Sequence, residues 1–129
     1  MNLPFLFSNS AQEIDVFEEL LKTFEECREP NWDGYGAQAV REETYHLAHQ
    51  FLAALPLSMQ VLSIGAAPDR HITVEWYRSL QRTLSVSISP EGNLHFAALL
   101  GSAKSYSTEP FTGAVLKVVA DLIHRVTAA

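Results

Sequence analysis

Glu42, His46 and His49 stand four and three residues apart, so on a helix they share one polar side and offer a carboxylate and two imidazoles to a metal ion. That set would suit a small metal-assisted hydrolase. The spacing is not the His-Glu-x-x-His pattern of zinc proteases, and a solvated helix face accounts for the same three residues. His71 and His95 flank Glu75 in segments of twofold periodicity, where acid-base chemistry and ordinary sheet-surface polarity compete as explanations. His124 belongs to a polar strip of the last helix. Cys27, the single cysteine, falls near an apolar helical stripe with no neighbouring base, which suits a thiol packed in a core better than a nucleophile.

Other catalytic patterns are missing. Gly34-Tyr35-Gly36 lacks the lysine and hydroxyl of a phosphate loop and does not join a strand to a helix as a dinucleotide fingerprint does. No serine is flanked by glycines in a nucleophile elbow. The sequence therefore predicts no cofactor and no catalytic residue, and an enzyme is the less favoured class.

Charge points elsewhere. The 129 residues carry nine basic and fifteen acidic side chains for a formal charge of −6, and residues 1 to 30 alone hold seven acids against two bases. Residues 51 to 129 carry five acids and six bases, so the acidity is local. No basic stripe supports nucleic-acid binding, and no cationic amphipathic segment suits a membrane surface. The apolar patch from Leu3 to Phe7 contains Pro4, has no basic leader and is too short to span a bilayer, so an arm packed on the body is expected. One cysteine excludes an intramolecular disulfide and fits a reducing, cytoplasmic compartment.

These residues need elements to hold them. A chain of this length, with 47% hydrophobic residues and no repeat or linker, fits one compact domain over residues 1–129. A first helix is expected from Ser10 to Glu29, opened by a Ser10/Glu13 capping box, with Ile14, Phe17, Leu20, Leu21 and Phe24 turned inward. Asp15, Glu18, Glu19, Glu25, Glu26 and Glu29 fall on its outer side, where Lys22 alone cannot neutralise them. A second helix should run from Arg41 to Leu55, burying Tyr45, Ala48, Phe51, Leu52 and Leu55 before Pro56.

The period then changes to two. Ile72, Val74 and Trp76, then Leu84, Val86 and Ile88, then Leu94, Phe96 and Ala98 predict three strands sharing one apolar face, with Trp76 opposite Leu84 and Val74 in line with Val86 and Phe96. Glu91-Gly92 supplies a turn, and Val61 to Ile64 a fourth, edge strand. A last helix is expected over Glu109 to Val126, capped by Thr108 with Pro110 in its first turn, and turning Val115, Val118, Val119, Leu122, Ile123 and Val126 inward. The fold class is α+β: two amino-terminal helices, a three- or four-stranded antiparallel meander and a carboxy-terminal helix, with helices over one sheet face.

Between the first two helices, Asp33-Gly34 suits a turn, and Trp32 and Tyr35 supply packing groups around it, with Gly36 following. Residues 32 to 36 read as a structural clasp. The run Trp32 to Ala37, followed by Glu75-Trp76 in a strand, resembles a family of small uncharacterised bacterial proteins with a Trp-Asp-Gly-Tyr-Gly-Ala segment and a later Glu-Trp strand. That likeness implies a bacterial or mobile-element origin and no particular activity. Family members often carry Asp-Gly before the Glu-Trp strand, where this chain has Asp69-Arg70. The sequence thus predicts a non-enzymatic interaction or inhibitory module whose acidic first helix meets a basic protein partner.

Overall fold

In a computed structural model of the chain, residues 15–55, 61, 63–114 and 117–128 are described. They form an α+β fold of α1 (Val16–Cys27), α2 (Glu42–Ala54), β1 (Ser63–Ala66), β2 (Ile72–Ser79), β3 (Arg82–Ile88), β4 (Asn93–Leu100), β5 (Ala103–Pro110) and α3 (Lys117–Thr127). The strands make one antiparallel sheet in chain order, so each pairs with its neighbours in sequence.

Alternation fixes the register. Trp76 lies opposite Leu84, and Val74, Val86 and Phe96 line up across three strands. Ile64, Ile72, Val74, Trp76, Leu84, Val86, Ile88, Leu94, Phe96 and Ala98 are all buried on the same face. A one-residue slip would carry the whole set to solvent, which is why a half-covered sheet has a single register. Turns close the meander where glycine relieves the backbone: Gly92, at φ 89°, donates its amide to the Ser89 carbonyl.

The helices cover that apolar face. Leu20, Phe24 and Cys27 of α1, Ala48, Phe51 and Leu52 of α2, and Val119, Leu122, Ile123 and Val126 of α3 join the strand residues in one core. Within it Phe51 meets Trp76 edge to face, with ring centroids 6.5 Å apart. α3 lies across β2, β3 and β4, while α1 packs on α2 and β1.

Three expectations need correction. First, α1 is capped at Asp15, whose extended backbone stops the helix and whose carboxylate accepts the amides of Phe17 and Glu18, and it ends at Cys27, so that Glu29, expected as its last residue, lies beyond it. The Ser10/Glu13 box, Ile14 and the Leu3 to Phe7 arm lie outside the described residues. Second, Thr108, Glu109 and Pro110 end a fifth strand instead of opening a helix; α3 is Lys117–Thr127, Val118, expected inside, is 45% exposed, and Val115 lies outside the described residues. The inward positions of β5 are Ala103, Ser105, Ser107 and Glu109, which give no apolar alternation to read. Pro110 fits there because an edge strand needs no inward amide at its end. Third, the edge strand expected at Val61 to Ile64 is Ser63–Ala66, with Val61 buried just before it.

Candidate functional site

Outward-facing charge is concentrated on α1. Glu18, Glu25 and Glu26 are exposed and Glu19 half-buried, as helical spacing from the buried Leu20, Thr23, Phe24 and Cys27 requires, and Asp15 at the N-cap and Glu29 two residues past the last turn are exposed as well. Among the described residues none of the six carboxylates has an ion-pair partner. The last turn of the helix contains no basic residue. Glu25 and Glu26, with Glu29 just past the helix, therefore sit at the end where the helix dipole is itself negative, an arrangement that costs helix stability and that only the C-cap Arg28 offsets.

Two apolar side chains border this face. Phe17 and Leu21, expected inside, are 39% and 43% exposed, because the buried arc of α1 is narrow, running through Leu20, Thr23, Phe24 and Cys27. Phe17 leans on the His49 ring at 4.7 Å, and Leu21 has Glu18 and Glu25 as neighbours one turn away on either side. Exposed Arg28 turns its guanidinium over the Phe24 ring, 5.4 Å from the centroid. Periodicity marked Phe17 and Leu21 as apolar without showing how wide their cover would be.

The clasp after α1 is built from its own side chains. The Asp33 carboxylate accepts the amides of Tyr35 and Ala37 at 2.8 and 3.0 Å, and the Asn31 side-chain oxygen accepts that of Gly36. Gly34 sits at φ 79°, with open space where a Cβ would stand. Gly34→Val is therefore expected to cost about 1 to 2 kcal/mol through backbone strain alone. Denaturant unfolding checks this, and unchanged stability would reject the strained-turn account. Trp32 packs against the core and donates its indole N–H to the Gln38 carbonyl at 3.0 Å. Tyr35, expected to pack, is 93% exposed.

Gln38 carries the clasp to the sheet. Its amide donates to the Pro68 carbonyl, and its side-chain oxygen accepts from the Arg70 guanidinium. Arg70 holds φ 78°, a left-handed angle that favours glycine. The Trp32 to Ala37 run and the turn before Glu75-Trp76 are thus one physical junction.

Other candidates separate. Glu42, His46 and His49 are exposed on α2, and His49 is engaged with Phe17; among the described residues no three or more His, Cys, Asp or Glu side chains are placed to hold a metal ion. His71 and His95 do meet on the open sheet face, their rings stacked at 5.3 Å, with His95 Nδ1 2.9 Å from the Thr108 hydroxyl oxygen. Glu75 on the same face accepts from the Ser63 hydroxyl at 2.8 Å. Burial pushes the Cys27 thiol above its ordinary range and the Glu26 carboxylate pushes it the same way, which disfavours the reactive thiolate. No described helix is long and apolar enough to cross a membrane. Searches against family models, curated proteins and solved structures returned no match.

Proposed function

We propose that the chain is a non-enzymatic interaction or inhibitory module that meets a basic protein through the outer face of α1. The supporting observation is the placing of Glu25, Glu26 and Glu29 at the negative end of the helix dipole, beside exposed Leu21. Helix stability gives no reason for that accumulation, whereas a negative field around an apolar anchor suits a cationic partner carrying an apolar side chain. Lys22 within the patch sets a limit on the field without cancelling it. The Trp32 to Ala37 likeness is the only support for a bacterial or mobile-element setting, and the single cysteine fits a cytoplasmic location without establishing it. Nothing in the placing of Glu42, His46 and His49 supports the hydrolase alternative.

Glu18→Gln, Glu25→Gln and Glu26→Gln together are expected to preserve helicity, slow capture of basic host proteins severalfold and leave wild-type capture weakened by moderate salt. The measurement is association rate, for folded wild type and triple variant, at two salt concentrations. Equal rates and identical partners throughout would reject the acidic-helix reading.

A further inference from the structure

The open face of the sheet is furrowed across its strands. On β3 and β4 the outward residues Ser85, Ser87 and Ala97 are small, whereas Tyr77 of β2 and Tyr106 of β5 rise beside them, 49% and 73% exposed. Two hollows of about 430 and 240 Å³, one walled by Tyr106 and the other by Tyr77, share Ser85 and so join into one groove. The two tyrosines stand three strands apart, roughly 14 Å at the ordinary strand spacing. Serine and alanine are not the residues that favour strands, so sheet stability gives no reason for a small floor there. His95 is held from two sides, its ring stacked on His71 and its Nδ1 2.9 Å from the Thr108 hydroxyl oxygen. Among the described residues no hydrogen bond engages its Nε2 or the hydroxyls of Tyr77, Thr83, Ser85 and Tyr106. The groove thus combines ring faces with donors and acceptors that the fold leaves unspent.

The lining narrows what can lie there. No lysine or arginine lines either hollow, and Lys104 on the same face stands outside both, which disfavours a phosphate backbone. The one carboxylate, Glu75, already accepts from Ser63, so a cation meets no cluster of ligands. An apolar ligand would bury the Ser85 hydroxyl without a partner. β3 and β4 are each paired on both sides, so a peptide finds no free edge to extend within the groove. An uncharged ligand that couples apolar ring faces to many hydroxyls meets none of these objections. We propose that the groove binds a neutral linear oligosaccharide, with the C–H faces of its rings against Tyr77 and Tyr106 and its hydroxyls bonded to Ser85 and to His95 Nε2. This site lies on the sheet face away from the helices and is separate from the acidic surface of α1.

Isotope-labelled protein titrated with maltohexaose, cellohexaose and chitohexaose, and followed by NMR, is the first measurement. Saturable shifts with at least one of the three are expected, centred on the amides of Ser85, Ala97 and Tyr106. Tyr77→Ala and Tyr106→Ala should each weaken binding by about tenfold, and Tyr106→Phe by less, since it keeps the ring face. Ser85→Leu fills the floor from an outward strand position and should abolish measurable binding while the melting temperature holds. No saturable shift with any of the three sugars, shifts centred away from the groove, or unchanged affinity in Ser85→Leu would overturn the proposal. An oligothymidylate that occupies the groove when no sugar does would overturn it as well. If Ser85→Leu fails to fold, the position of the wild-type shifts decides. The triple glutamine variant of α1 should bind the sugar as wild type does, so loss of partner capture and loss of sugar binding are read separately.

Discussion

Trp76→Ala is expected to lower the unfolding free energy by about 3 to 5 kcal/mol, the largest single-site loss anticipated for this chain. The indole is 1% exposed, faces Leu84 across the β2–β3 ladder and meets Phe51 of α2, so truncation opens a cavity where helix and sheet join. Its Nε1 is buried without a hydrogen-bond partner among the described residues. An unmet buried donor carries a desolvation cost of about 1 to 3 kcal/mol, which phenylalanine would not incur. Trp76→Phe should therefore lose less than half as much as alanine. Urea unfolding of the two variants checks both statements. Equal losses would mean that the indole nitrogen is satisfied after all, and a near-neutral alanine would remove Trp76 from the core.

Arg82→Ala is expected to cost about 1.5 to 3 kcal/mol, the range for hydrogen bonds to a charged group. One guanidinium nitrogen, Nη2, donates to the carbonyls of Arg125 and Ala128 at 2.7 and 2.6 Å, tying the start of β3 to the far end of α3. Those carbonyls belong to the helix end that has no internal donors and a negative dipole, so a cation there meets both needs. Arg82 is half-exposed, which favours the lower part of the range. The loss should appear as faster hydrogen exchange in the last turn of α3, with the sheet still protected. Uniform loss of protection throughout the chain would reject the local-anchor account.

Legibility followed the strength of the physical signal. Ile72 to Ala98 could be read in strands and register because a sheet covered on one face must alternate, and His71 and His95 were placed on a common open face by the same rule. β5 was hidden because its edge position removes the need for apolar residues, and Thr108 with Pro110 imitated a helix start. The acidic positions of α1 followed from a period of 3.6, yet the exposure of Phe17 and Leu21 depends on how much of α1 its neighbours cover, a tertiary quantity. Asp33-Gly34 announced a turn by composition. Gln38 announced nothing, since a glutamine that bridges two loops has the same local sequence as one in water.

The chain-order pairing of the strands bears on when the acidic surface comes into being. Hairpins β2–β3 and β3–β4 join residues close in sequence and can form early, whereas the α1 contact with β1 closes a long loop, with Thr23 and Ile64 lying 41 residues apart. A helix of 12 residues is marginal on its own, and this one carries carboxylates at its unfavourable end. The carboxylates of Glu18, Glu19, Glu25 and Glu26 therefore keep their shared arrangement only while the sheet and α2 hold the helix, and a chain locally opened there presents them as a diffuse charge without the Phe17 and Leu21 border.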